Sequence, residues 1–487
     1  MSQHRLVNPL VRNIRALKRV ALVRQSVRIE EEIKQGMKKP YNEVIDVSRD
    51  NPHATGMKPM SFVRQVIASC IYPELIDSDK MPLDVRKRAK TLLECIGGSV
   101  GCYSDTIGIP IMRDSVSDFL TRRDEGVPSA SGKIFITHGS DHGFGLLLTM
   151  LVRGDRSPLV GVLTPVPSQD FGNATLVASG ATAVPYYLDG QQGWRLHTEE
   201  LQRALRSARE VCDPIALYVI NPGDPTGHVQ SRESMEEIIR FVYEEKLLLF
   251  ANEDHQDILI GEGCMFISYK KVLAEMGSPF SDAVELASIH SASKGFMGEG
   301  GLHGGYLELV NFDPSVQIEF DRLISLLVLP IIGQLALEVM LNPLQPGEPS
   351  YEHYQEHIRE TLVHNVTRAF EVLDSLPGIS CEPINGGASM FPRLHLPHTA
   401  IHQAKEEEQL PDFFYCSRLL EQTGLCVCPG SDLGLPEGTY HIRYKAPPTL
   451  NTNVFIILLL LFITSPYLQS ENRPVSECLN FLKLPYN

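Results

Sequence analysis

Positive charge is what this sequence has least of for its size. Its 487 residues carry a net charge of −15. That excludes a general nucleic-acid binder, which needs a basic face to neutralise phosphates. Membrane-length apolar runs are also missing. Val454–Ile463 is ten apolar residues, about half of the ~20 that a spanning helix requires. It is expected as a buried helix or strand, although it lacks the polar side of a surface helix. No internal repeat, low-complexity tract or signal peptide is visible. The ten cysteines show no metal-ligand pairing; the close pair Cys426 and Cys428 falls in an apolar run, where strand packing is the expectation. Acidic residues are absent from the first twenty-nine positions, which hold seven basic ones, the composition of a mitochondrial presequence. Leu17, Val20, Ala21 and Val27 equally suit an amphipathic helix running into Glu30–Glu32, and that reading is preferred. The expected location is cytoplasmic, with mitochondrial as the alternative.

What is present is ordinary globular material, 43% hydrophobic and 21% charged, in a chain too long for one core. Apolar runs at Lys133–Thr137, Leu159–Thr164, Thr182–Tyr187, Ile215–Ile220, Leu247–Ala251, Leu286–Ile289 and Gly305–Val310 are mostly separated by helical patterns. Strands spaced by helices mean βαβ units and a mostly parallel sheet, an α/β fold. After the proline-rich link at Pro343 the text changes to a long polar helix, Tyr351–Leu376. A second helix, Pro411–Thr423, follows, then strands at Leu425–Pro429 and Gly438–Tyr444. The expected division is an N-terminal arm with part of the small domain (1–79), a large domain (80–343) and a smaller α+β domain (344–487).

Four polar turns stand where strands end, which is where open α/β sheets bind ligands. Thr137-His138-Gly139-Ser140-Asp141 offers free backbone N–H groups to a phosphate at a helix start. Asn221-Pro222-Gly223-Asp224-Pro225-Thr226-Gly227 is a rigid turn. Asn252-Glu253-Asp254-His255-Gln256-Asp257 follows the fifth run. Ser291-Ala292-Ser293-Lys294-Gly295 places a lysine among small hydroxyls, either a surface lysine or one that bonds an aldehyde cofactor. A metal-assisted hydrolase built on His138, His142, Glu253, Asp254, His255 and Asp257 is the weakest reading, since no helix carries a suitable ligand pair.

The order and spacing of NPGDPTG, NEDH, SASKG and GGLHGGY resemble a fold-type I pyridoxal phosphate (PLP)-dependent aminotransferase. Further stretches narrow the likeness to the alanine aminotransferase branch. They include Lys34–Ile45, Gly101–Ile109, Arg122–Pro128, Phe266–Gly277 and Glu437–Lys445, and the likeness spans about the first 448 residues. The resemblance implies a large PLP-binding domain, a homodimer, and exchange of an amino group between an amino acid and a 2-oxo acid. It implies Lys294 as the Schiff-base lysine and proton shuttle, Ser291 and Ser293 near the phosphate, and Tyr103 reaching the neighbouring subunit's phosphate. It likewise implies Asn221 facing the substrate and Arg443 gripping its α-carboxylate, a task suited to a planar guanidinium.

The departures are specific. Asp224 stands where the family has asparagine beside the ring oxygen, and His255 where it has a tyrosine bonding that oxygen. Asn252 replaces the aspartate paired with the pyridine nitrogen, Gln169 the stacking aromatic, His303 the phosphate arginine and Asp141 the helix-start serine. Ser140, one place earlier, partly compensates. Loss of the ring-nitrogen charge is worth about 1–3 pKa units, so chemistry should slow before binding fails. A non-catalytic dimeric paralogue is therefore the alternative to a working transaminase.

Overall fold

The computed structural model describes residues 8–445, except 50, 54–56, 153–158, 169–170, 262, 293, 295–297, 326–327 and 352–355. Ser293, Gln169 and the apolar tail Val454–Ile463 therefore lie outside the described residues. Each of the seven apolar runs forms a strand, and together they make one sheet. The strands are β1 (Ile134–Thr137), β2 (Leu159–Val166), β3 (Thr182–Tyr187), β4 (Cys212–Ile220), β5 (Leu248–Asn252), β6 (Leu286–Ser291) and β7 (Gly305–Val310). Their spatial order is β1-β7-β6-β5-β4-β2-β3. All neighbours run parallel except β7, which is antiparallel to both β1 and β6. Every residue of β1 and β6 is buried, as expected where helices cover both faces.

Register decides where the site lies. Ile220 pairs with Asn252, Asn252 with Ile289, Ser291 with Gly305, and Gly305 with Thr137. The carboxyl ends of β1, β4, β5 and β6 thus sit side by side along one edge, and the four polar turns follow from that edge.

Helices α1 (Arg19–Lys34), α2 (Ser61–Ile71), α3 (Leu83–Cys95), α4 (Pro110–Arg123), α5 (Ser140–Leu151), α6 (Arg232–Glu245), α7 (Ile331–Leu341), α8 (Glu356–Ser375) and α9 (Pro411–Thr423) complete the framework used below. The stretch 1–79 divides between two clusters. Leu22, Ile29 and Val47 pack with Val366, Ala369, Leu419 and Leu425, and Ile45–Asp46 pairs in parallel with Leu425–Cys426. Phe62, Val63 and Val66 of α2 instead pack with α3, α4 and α7 beside Ile136 and Tyr306. Helix α1 exists, but its inward face is Leu22, Ser26 and Ile29; the expected apolar positions Val20 and Val27 are exposed. The cluster available for burial, not the number of apolar residues on a side, chose the face.

Cys426 and Cys428 are buried in two short strands, and burial pushes both thiols up to about 12. A third strand, Ile442–Lys445, pairs with the second of these and carries Arg443. A small aromatic cluster, Trp194 with Phe391 and Leu433, joins the connection after β3 to this C-terminal part. Among the described residues no helix is long and apolar enough to cross a membrane.

Candidate active site

The β1 turn is built for close approach. Gly139 has φ +122°, and a Cβ there would lie 3.2 Å from Ser291 Oγ. Gly305, opposite Ser291, would push a Cβ to 2.6 Å from the Gly139 Cα. These two glycines let β1, β6 and β7 converge, and α5 starts immediately after them at Ser140. The unpaired N–H groups of that first turn point to one corner, an anion-favouring arrangement.

Into the same corner comes Lys294. Its Nζ lies 3.3 Å from Asp254 Oδ2. That oxygen also accepts a 2.7 Å hydrogen bond from Ser140 Oγ. Asp254 is 2% exposed, and its Oδ1 has no hydrogen-bond partner. Burial opposes charge on Lys294, but Asp254, Asp141, Tyr218 and Asp224 outweigh it and hold the lysine's pKa above its ordinary value. The resting amine is an ammonium.

Asn252, at the end of β5, is fixed at both ends: its Nδ2 donates to Tyr218 Oη at 2.9 Å and its Oδ1 accepts from the Asp254 N–H at 3.0 Å. The turn after β4 closes tightly, since a Cβ on Gly223 would lie 2.3 Å from His228 Nδ1. Asn221 accepts from the Gln230 N–H at 3.0 Å, and its Nδ2 has no hydrogen-bond partner. Asp224 is buried 3.6 Å from His255 Nε2. Burial alone would raise its pKa, yet Arg443, His255 and Lys445 hold it well below the usual carboxylate range. Arg443 is 1% exposed. Arg443 acts on Asp224, and Asp224 in turn is among the charges that act on Lys294.

Not every expected residue joins them. Tyr103 is 87% exposed on the loop between α3 and α4. His303 is exposed in a left-handed conformation (φ +51°) at the corner before β7. Its charge bears on His138, whose pKa is lowered by burial and then by His303. His142 packs edge-on against His138 with ring centroids 4.5 Å apart, and burial lowers it to about 4. Glu253 is committed elsewhere, so the acidic turn is not a ligand cluster. Its oxygens accept from the Tyr269 N–H at 2.9 Å and Ser288 Oγ at 3.1 Å, and pair with Arg123 at 3.3 Å. No group of three or more potential metal ligands occurs among the described residues.

Two participants went unread in the sequence. Asp254 was visible only as one acid among several in the turn after β5, where its N–H bonds back to Asn252 Oδ1. Arg123 anchors the turn from below: it forks onto Asp124 at 2.8 Å twice and reaches Gln256 at 2.9 Å.

The family model for aminotransferase class I and II matches residues 73–453. The chain belongs to the class I and II aminotransferases. Among curated members of this family, alanine aminotransferase 2 of Xenopus tropicalis is 44% identical over 91% of this chain and 86% of its own length. Human alanine aminotransferase 1 is 43% identical over 91% of this chain and 90% of its own. Among solved structures, an aminotransferase from Escherichia coli superposes with a TM-score of 0.72 at 19% identity, covering 94% of this chain and 98% of that one. That likeness shows the aminotransferase fold, in which the edge carrying Lys294 is the carboxyl edge of the parallel sheet.

Proposed function

We propose that the chain is an alanine aminotransferase that moves an amino group between L-alanine and 2-oxoglutarate, with pyridoxal 5'-phosphate as carrier. The observation that carries this reading is Lys294 at the carboxyl edge of the sheet, 3.3 Å from the buried Asp254 that also binds Ser140 at the glycine-opened start of α5. Relatives named alanine aminotransferases, at 43–44% identity over nearly the whole chain, support the choice of substrates.

The residues fit such a cofactor at two points: a lysine amine at the cleft, and a glycine-opened turn at the start of α5 that a side chain at Gly139 would fill. When bound, the cofactor supplies an electron sink for charge developing at the substrate's α-carbon. Lys294 would hold the cofactor's aldehyde through its amine and, when free, would serve as the proton carrier. Ser140, Ser291 and the α5 N-terminus would hold the phosphate, the role that the family likeness extends to Ser293 and His303. Asn252 and His255 orient the ring, and Arg443 grips the α-carboxylate while Asn221 faces the substrate. Asp224 neutralises Arg443 until a substrate carboxylate competes for the guanidinium. We place Tyr103 in a second subunit's site, since its own cleft does not use it. A reducing, cytosol-like compartment agrees with the nine described cysteines, all free.

The test is purified protein with added PLP, L-alanine and 2-oxoglutarate, followed by release of pyruvate and glutamate. Turnover that disappears in Lys294→Ala is expected. Failure to take up PLP at any concentration, with no pyruvate formed, overturns the reading in favour of a non-catalytic paralogue.

A further inference from the structure

We propose that Asp254 is a latch on Lys294 that makes the cleft take the amine form of its cofactor, pyridoxamine 5'-phosphate, in preference to the aldehyde form. The inference rests on the proposed function above and concerns which half of the cycle is the stable one.

The argument starts from what Asp254 has for company. Its carboxylate is almost fully buried, and its partners are the Lys294 ammonium at 3.3 Å and the Ser140 hydroxyl at 2.7 Å, both on Oδ2. Oδ1 is buried and accepts nothing. A buried carboxylate that loses its cation becomes an uncompensated charge, a strongly unfavourable state.

Bonding to the aldehyde weakens that cation, because an imine nitrogen holds a proton less firmly than an ammonium does, and the unprotonated form lacks it altogether. The ammonium first gives up one proton. The neutral nitrogen then adds to the aldehyde carbon, a carbon–nitrogen double bond forms, and the aldehyde oxygen leaves as water. The balance is one ammonium plus one aldehyde giving one double bond, one water and one proton, the proton passing to solvent. The nitrogen changes from a tetrahedral three-donor group to a planar one drawn onto the cofactor. Asp254 keeps only Ser140.

The amine form asks for none of this. Lys294 remains an ammonium with all three donors, and its pair with Asp254 stays intact. The cofactor's own aminomethyl group, also a cation at neutral pH, would add positive charge near the Asp254 carboxylate instead of removing it. Asp141 and Asp224, which also act on Lys294, add to the same bias because each favours keeping positive charge in the corner.

The size follows from what a neighbouring opposite charge does to a proton equilibrium, about 1–3 pKa units, hence about 10- to 1000-fold. Apo full-length protein is titrated by calorimetry with pyridoxamine 5'-phosphate and separately with PLP, while visible absorbance reads the bond to Lys294. The wild type should bind the amine form at least about tenfold tighter. Asp254→Asn, which keeps the shape and a bond to Ser140, should cut that preference by about 10-fold or more, and Asp254→Ala should do the same; circular dichroism checks that both fold. Equal affinity for the two forms in the wild type, or an unchanged preference in both variants, overturns the latch while leaving the aminotransferase reading intact. Binding of neither compound overturns both.

Discussion

Arg123→Met is the sharpest test of how the turn after β5 is held in place. The methionine keeps most of the buried stem and removes the guanidinium, which forks onto Asp124 at 2.8 Å twice, pairs with Glu253 at 3.3 Å and bonds Gln256 at 2.9 Å. Both carboxylates are about 1% exposed as side chains, so each would be left charged without a counterion. Removing one partner of a buried pair costs about 3–5 kcal/mol. Asp124 keeps Ser268 Oγ at 2.7 Å, and Glu253 keeps the Tyr269 N–H and Ser288 Oγ; the lower end, about 3 kcal/mol, is therefore expected.

The pH dependence has a definite sign. Burial already holds Glu253 above its ordinary value of 4.5, against the pull of Arg123 and its hydrogen bonds. Without Arg123 it rises further, so the folded variant binds a proton that the unfolded chain releases. Stability of the variant then falls as pH climbs from 4.5 through the folded pKa. Urea unfolding followed by circular dichroism should give a wild-type minus variant gap that is smallest near pH 5 and full at pH 8. A gap under about 1 kcal/mol at pH 8, well below the buried-pair range, or one that narrows with rising pH, refutes the argument.

Other outcomes follow from the same geometry. Asn252→Asp should raise kcat for alanine transamination by about tenfold or more, because a charge at the ring nitrogen is worth about 1–3 pKa units; an unchanged kcat counts against it. Gly139→Ala forces a Cβ onto φ +122° and to 3.2 Å from Ser291 Oγ, strain of about 1–3 kcal/mol. It should weaken PLP binding in titration, and unaltered affinity would show that the turn does not hold phosphate. Burial lowers His142, His228, His290 and His441 to about 4 from an ordinary 6.5. Each contributes stability that is complete above pH 6.5 and is lost as pH falls toward 4, up to about 2 kcal/mol apiece by pH 5. Melting temperatures should drop between pH 7.5 and pH 5; a flat profile contradicts the burial of these rings. Wild type and Arg123→Met share His142, His228 and His441, whereas Arg123 also helps to lower His290, so their difference at low pH carries His290 in the same direction as Glu253.

Local pattern carried the sheet well and the ion pairs poorly. Thr182–Tyr187, an edge strand whose burial alternates, and Gly305–Val310, which is buried even at Glu308, both read as strands at their observed limits because apolar and β-branched residues dominate each run. Leu83–Cys95 and Pro411–Thr423 read correctly as helices, each starting where a proline fixes the first turn. The strand ends could be aligned without coordinates because successive parallel strands share one direction. Arg123 and Glu253 are 130 positions apart, and no spacing rule links them. Asp254 looked like part of a solvated acidic turn, and only the fold brings Lys294 from the next strand beside it. Helix α1 misled for another reason: Val20 and Val27 are as apolar as Leu22 and Ile29, and the identity of the neighbour broke the tie.

Trp194 is the chain's single tryptophan, and it sits at a joint. It belongs to the connection after β3, yet its ring lies 5.6 Å from Phe391 and 5.5 Å from His441 of the C-terminal part. Any rocking of that part against the sheet must change what surrounds the indole. The contact therefore carries its own optical gauge: the ultraviolet emission of this indole needs no label, comes from one position, and would shift in colour with any change in its packing against Phe391 and His441.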